Sequence, residues 1–160
     1  EAQGMGCNNI KMTIGDYGEV NKKDALELNK LCDIYQINLR IENDQTQENG
    51  TLHKIKEFIT SYKNLGGEIG VTFDVGNWLW QGEDPAENAL SLKEYVTYIH
   101  LKDVEKEKPP RTVLLGEGDI DYQDVLKILR KDIPVALEYP CGQEPITQLK
   151  MELEKLNLTI

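Results

Sequence analysis

The sequence predicts an α/β fold in which five strands run parallel and curl as part of a barrel, and three observations carry that expectation. Strand-like and helix-like stretches alternate five times over with short connections, the order that right-handed crossovers and a parallel sheet require. Within the strands, apolar and polar residues alternate: Ile37, Leu39 and Ile41 share one face and Asn38, Arg40 and Glu42 the other, Val71 and Phe73 oppose Thr72 and Asp74, and Val135 and Leu137 oppose Ala136 and Glu138. A sheet covered by helices on both faces reads as continuous apolar runs, whereas the inside of a barrel accommodates a polar face towards the carboxyl ends of its strands. Finally, four strands end at or near a residue able to ligate a metal: Glu42, Asp74, His100 and Glu138.

Residues 10–14 read as a short strand closed by a turn at Gly15-Asp16-Tyr17-Gly18. Asn21 is placed to cap an amphipathic helix over about residues 22–35, where Leu26, Leu28, Leu31, Cys32 and Tyr35 fall near helical spacing. Strand 37–42 and a polar loop, 43–50, come next. Leu52, Ile55, Phe58, Ile59 and Tyr62 form a second helical stripe, which Gly66-Gly67 stops. The strand from Ile69 runs into Val71-Thr72-Phe73-Asp74-Val75-Gly76-Asn77 and turns on its glycine into Trp78 and Trp80. Asp84 followed by Pro85 is a cap and a first-position proline, opening a helix through Ala89 and Leu92. After strand 96–101 comes a long loop, 103–119, with Pro109-Pro110 and a short strand at 112–115; long loops at strand exits tend to be functional. Asp121 caps a helix to Arg130, residues 135–138 are the last strand, and 144–156 the last helix.

A chain of 160 residues, 39% hydrophobic and 29% charged, suits one domain over residues 1–160. Its 18 Lys and Arg against 28 Asp and Glu give a net charge of -10, which repels phosphate backbones and anionic lipid. The densest basic run, 102–111, is interleaved with Asp103, Glu105 and Glu107. Neither a nucleic acid nor a membrane is therefore expected as a partner, and no apolar run approaches the ~18 residues of a span. Cys7, Cys32 and Cys141 are odd in number, far apart and without CxxC spacing, so neither a disulfide framework nor a zinc ribbon is indicated, and a reducing, cytoplasmic setting fits.

If the strand ends converge, Glu42, Asp74, His100 and Glu138 meet. Two like charges ~4 Å apart cost about 4 kcal/mol at an effective dielectric of 20, so three uncompensated carboxylates are strongly unfavourable, and a divalent cation reverses the sign. Three oxygens and an imidazole suit Mn²⁺ first, with Mg²⁺, Co²⁺ or Zn²⁺ open. Taken singly, Glu42 and Glu138 read more simply as strand-end carboxylates paired with Arg40 or Lys102; the four together favour the metal. His53 reads as a solvated helix residue. Trp78 and Trp80 suit a sugar pocket or rim packing equally, and Lys102 and Asp103 suit substrate contact, orientation of His100 or a local ion pair. Asn43 is placed to orient Glu42. Gly116-Glu117-Gly118 lacks the downstream glycine of a dinucleotide fingerprint and reads as turn geometry.

At these residues the sequence resembles the xylose isomerase-like superfamily of sugar isomerases and epimerases, TIM barrels that also include the endonuclease IV group. Glu42 in Arg-Ile-Glu-Asn, Asp74 in Thr-Phe-Asp-Val-Gly-Asn, His100 in Ile-His-Leu-Lys-Asp and Glu138 in Ala-Leu-Glu-Tyr-Pro match the family's metal ligands on its last four strands, and Gly116-Glu117-Gly118-Asp119-Ile120-Asp121 matches the loop before the last strand. The resemblance runs from about Ile10 to Gly142. It implies a metal-dependent isomerase or 3-epimerase acting on a ketose or aldose, in which Glu42 and Glu138 pass a proton through an enediolate. It also implies substrate contacts at Asn77, where many members have His, and at Lys106, where epimerases often have Arg. An inosose dehydratase-type lyase would use the same quartet. An endonuclease IV-like zinc phosphodiesterase is disfavoured by two histidines and the net charge of -10, and an inactive half-barrel acting as an assembly piece is the non-enzymatic alternative. A complete barrel takes ~250 residues and eight strands, while five are read here, beginning at the family's fourth. The chain is therefore expected to be the last five β/α units of a (β/α)8 barrel and the C-terminal part of a longer protein. Its open sheet edges favour a homo-oligomer or association with the N-terminal strands.

Overall fold

A computed structural model of the chain describes residues 1–18, 20–140 and 142–156. Cys141 lies outside the described residues; Cys7 and Cys32 are free thiols. The strands are β1 (Asn9–Met12), β2 (Asn38–Glu42), β3 (Gly70–Asp74), β4 (Val96–Leu101), β5 (Asp103–Glu105), β6 (Arg111–Val113) and β7 (Val135–Leu137), and the helices are α1 (Lys22–Tyr35), α2 (Gln47–Gly50), α3 (Leu52–Asn64), α4 (Pro85–Leu92), α5 (Tyr122–Ile128) and α6 (Pro145–Lys155). Strands β1, β2, β3, β4 and β7 pair in that order, every pair parallel, to make the sheet of a half-barrel flanked by helices. The sheet is so curled that Lys11 on one edge strand comes within 3.1 Å of Glu138, which follows the other.

Local chemistry sets the helix starts. Asn21 accepts from the Lys23 and Asp24 N–H groups, Asp84 from Ala86 and Glu87, and Asp121 from Asp124, each satisfying donors that an uncapped first turn leaves free. Helix α5 ends at Ile128, short of the expected Arg130. The polar loop 43–50 holds the short helix α2, capped by the Thr46 hydroxyl. The strand expected at 112–115 falls at 111–113 because it pairs antiparallel with β5, a partner across a proline-containing loop.

The apolar set of each inner strand faces the helices. Ile41, Val71, Phe73, Ile99 and Leu101 are buried against Ile55, Phe58 and Ile59 of α3, Ala89 and Leu92 of α4, and Val125 of α5. Each such side chain contributes about 1.5–3 kcal/mol. Phe58 stacks on Tyr62 at 5.4 Å and meets Tyr17 edge-on at 5.0 Å. The helical stripe of α1 is buried only in part: Leu28 packs on the core, while Leu26, Leu31, Ile34 and Tyr35 are exposed, as are Ile10 and Met12 of edge strand β1. No helix among the described residues is long and apolar enough to cross a membrane.

Candidate metal centre

The parallel register sets Lys11 opposite Arg40, Glu42 opposite Thr72, Thr72 opposite Tyr98, and Asp74 opposite His100. Residues at alternate positions share a face, so these side chains line the concave side and the carboxylates gather at its carboxyl end. Asp74 is held most firmly. The buried Asn43 amide donates to the Asp74 carbonyl and accepts from its N–H, both at 2.9 Å. The Asn77 N–H donates to Asp74 Oδ1 at 2.9 Å, which leaves Oδ2 directed inward. The amide of Asn77 donates to the Asn43 carbonyl at 2.8 Å, so this side chain is engaged inside the protein and 5% exposed.

One ligand atom from each of Glu42, Asp74, His100 and Glu138 lies within 4.8 Å of all the others. His100 Nδ1 faces Glu42 Oε1 and lies 3.3 Å from Glu138 Oε2. Two ammonium groups join the cluster: Lys11 Nζ donates to Glu42 Oε2 and to Glu138 Oε1, and Lys102 Nζ lies 2.8 Å from Asp74 Oδ2 and 3.2 Å from Glu138 Oε2. Glu42 Oε1, Asp74 Oδ2 and His100 Nδ1 are buried and make no hydrogen bond of good geometry despite the nearby cations. Buried acceptors are normally paired. Three of them aimed at one point, with a fourth ligand alongside, form a donor set of oxygens and one imidazole that could hold a divalent cation.

Burial pushes the Asp74 carboxyl up to about 7, against the pull of Lys102 and the Asn77 N–H. Burial also acts to raise Glu138, but its close approach to Asp74, the charges of His100 and Lys102 and the hydrogen bond from Lys11 outweigh it and hold the group down at about 2. Asp74 and Glu138 thus titrate as a pair whose proton rests on the more buried member. Burial opposes the charge on Lys102, yet Asp74 and Glu138 raise its pKa, so it remains an ammonium.

The remaining expected residues divide. Trp78 is fully buried, 5.3 Å from the Phe73 ring. Trp80 and Lys106 line a cleft of 560 Å³ together with Gln81, Lys108 and Pro110. His53 is exposed. Asp103 is fully buried and accepts from the N–H groups of Val104, Gly116, Gly118 and Ile120, so it holds the loop before α5. A Cβ on Gly118 would stand 2.3 Å from Asp103 Oδ1, which explains the glycine by close approach. Lys11 belongs to none of the sequence motifs. The alternation of Ile10, Lys11 and Met12 was the available signal, since it turns the lysine to the face opposite its neighbours.

A curled parallel half-sheet with this cluster at its carboxyl end belongs to the class of β/α barrels that keep their sites at the strand exits. The chain belongs to the xylose isomerase-like TIM barrel family, which it matches over residues 2–158. Inosose dehydratase from Clostridium perfringens is 29% identical over a 98-residue alignment that covers 50% of this chain and 33% of that one. The structure resembles that of a xylose isomerase domain protein from Planctomyces limnophilus, with a TM-score of 0.74 and 22% identity over 98% of this chain and 59% of the other. It also resembles a D-tagatose 3-epimerase-like protein, with a TM-score of 0.68 and 22% identity over 98% and 66% of the two chains. Two further structures hold metals: the IOLI protein with zinc (TM-score 0.64, 14% identity, 98% and 62% covered) and a Mycobacterium smegmatis xylose isomerase-like TIM barrel protein with magnesium (0.61, 18%, 84% and 49%). The match to the dehydratase spans about a third of that relative's length.

Proposed function

We propose that this chain forms the carboxyl-side part of a metal-dependent sugar isomerase or epimerase. In this reading Glu42, Asp74, His100 and Glu138 hold a divalent cation, and Glu42 and Glu138 also move the proton. The observation that carries it is the convergence of buried, unbonded acceptor atoms from three strands on one point. The donor set favours Mn²⁺, and structural neighbours with zinc and with magnesium support a divalent ion in general. When bound, the cation would polarise a sugar carbonyl and its neighbouring hydroxyl. Glu42 leaves β2 and Glu138 follows β7, so the two carboxylates approach from different walls of the mouth. One takes the carbon-bound proton and the other returns it, through an enediolate. Asp74, clamped by Asn43 and Asn77, positions the cluster. Substrate contact falls to Trp80 and Lys106 in the cleft, to Lys102, and to Asn77 and Trp78, whose Oδ1 and Nε1 are buried without a hydrogen-bond partner.

The test is turnover on a panel of ketoses and aldoses with product analysis. Glu42→Gln and Glu138→Gln should each abolish it, and full activity in either would sink the two-glutamate mechanism. A second reading, loss of water from an inosose-type sugar, is favoured by the likeness to inosose dehydratase. It uses the same quartet, and an unsaturated product distinguishes it.

Ile10 and Met12 of β1 are exposed on a strand that ends the described sheet and has one unpaired edge. This supports a domain whose further β/α units, on the same protein or a second copy, complete the wall. Sedimentation of the chain with and without an upstream β/α segment supplied in trans checks it; an unchanged molecular mass in both the isolated chain and the mixture rules it out.

A further inference from the structure

We propose that the two lysines at the mouth act on the cation site in opposite senses: Lys102 competes with the divalent ion for Asp74 and Glu138, whereas Lys11 holds Glu42 and Glu138 in the orientation that receives it. The inference rests on the reading of the quartet above and concerns which oxygen each ammonium occupies. Lys11 takes Glu42 Oε2 and Glu138 Oε1. The other oxygens of the same two groups, Glu42 Oε1 and Glu138 Oε2, face His100 Nδ1. Lys11 thus ties the outer oxygens together and turns the inner ones to the imidazole. Lys102 does the reverse. Its Nζ sits on Asp74 Oδ2 and Glu138 Oε2, the inward oxygens themselves, and it touches Asp74 without a well-formed hydrogen bond.

An ammonium and a divalent ion on the same two oxygens repel each other, and a buried pair is poorly screened. Lys102 has little room to retreat. Its side chain is 8% exposed, and its stem lies so close to the turn after β3 that a Cβ on Gly76 would stand 2.5 Å from Lys102 Cγ. Lys11 is 44% exposed on an edge strand, and its hold on Glu138 matters because that carboxylate is itself 40% exposed and Lys11 is the cation on its outer oxygen, Oε1. A purely structural role for both residues predicts that removing either one weakens metal binding. Competition predicts opposite signs.

The experiment is calorimetric titration of the whole chain with Mn²⁺, in wild type, Lys102→Met, Lys11→Met and Lys102→Arg, with circular dichroism to establish folding. Lys102→Met should bind about tenfold more tightly and Lys11→Met about tenfold more weakly, the scale on which outer-sphere groups tune metal affinity, while Lys102→Arg keeps the wild-type value. Unchanged or weaker binding by folded Lys102→Met overturns the competition, and unchanged binding by Lys11→Met overturns the orienting role. If Lys102→Met does not fold, acylation of Lys102 in the wild type, read by mass spectrometry, replaces it. Added Mn²⁺ should increase labelling, and equal or reduced labelling overturns the proposal. If neither wild type nor folded Lys102→Met takes up Mn²⁺, the cation reading itself fails, an outcome distinct from a wild type that binds and a variant that gains nothing.

Discussion

The two ends of the concave face are built from the same alternation and hold opposite chemistry. At the amino end of the strands, Arg40 is buried among neutral partners: it donates to Thr97 Oγ1 and Asn9 Oδ1 and lies 5.3 Å from the centre of the Tyr98 ring. Thr97 is the extra residue where the β3–β4 register shifts. At the carboxyl end, three carboxylates, an imidazole and two ammonium groups crowd together, and three acceptor atoms still make no hydrogen bond. A buried charge is tolerated where its hydrogen bonds are complete. The comparison teaches that polarity alone does not mark a site. Unused acceptor capacity at one point does, and the amino end has no comparable cluster among the described residues.

The largest expected effect removes the anchor of the mouth. Asp74→Ala should weaken Mn²⁺ binding by about a hundredfold or more, beyond the range for outer-sphere groups, and should lower the melting temperature of the metal-free chain, because the buried Lys102 ammonium and the Asn77 N–H lose their acceptor. Calorimetry and thermal denaturation read the two, and unchanged Mn²⁺ binding by the folded variant would remove Asp74 from the ligand set. The pH dependence has a defined sign. Asp74 is raised from 3.8 to about 7, so its stabilisation is fully present below 3.8 and is lost as pH rises through about 7. Glu138 is lowered from 4.5 to about 2, so its contribution is present above 4.5 and is lost as pH falls through about 2. Urea unfolding of the metal-free chain should therefore show stability declining from about pH 4 to 7, a slope absent from Asp74→Asn. Next comes Gly118→Ala, whose Cβ would meet Asp103 Oδ1 at 2.3 Å and the Val104 carbonyl at 2.7 Å. Overpacking of this kind costs about 1–3 kcal/mol, measurable in the same unfolding experiment.

Much of the mouth was legible because it follows from period and direction. Parallel strands with alternating faces bring Glu42, Asp74, His100 and Glu138 to one end whatever the details of packing. Lys11 escaped because a lone lysine on a four-residue edge strand reads as solvated, and only the curl of the sheet carries it across to Glu138. The Asn77 amide also donates to the Asn43 carbonyl, 34 residues earlier, and no local pattern signals such a bond. Glu152 stands in α6 among charged residues. It is fully buried, accepting from the Leu115 N–H, the Tyr139 hydroxyl, Gln148 and Lys155, because the helix folds back on the loop before α5. In each case the missing information was a non-local partner.

The smallest expected effect tests whether the two ends are independent. Arg40→Met keeps an unbranched stem and removes the guanidinium that lies over the Tyr98 ring. Asn9, which is exposed, and Thr97, which is half-buried, lose a donor, a hydrogen bond worth about 0.5–1.5 kcal/mol each, while the desolvation of the charge is relieved and offsets part of it. A net loss of about 1 kcal/mol by urea unfolding is expected, with Mn²⁺ affinity within about twofold of wild type, since no ligand of the quartet touches the guanidinium. One route could break the comparison: the Tyr98 ring that Arg40 covers also meets the His100 ring edge-on at 5.7 Å. If affinity falls tenfold while stability barely moves, Arg40 acts through Tyr98 on the imidazole, and the amino end of the strands belongs to the site after all.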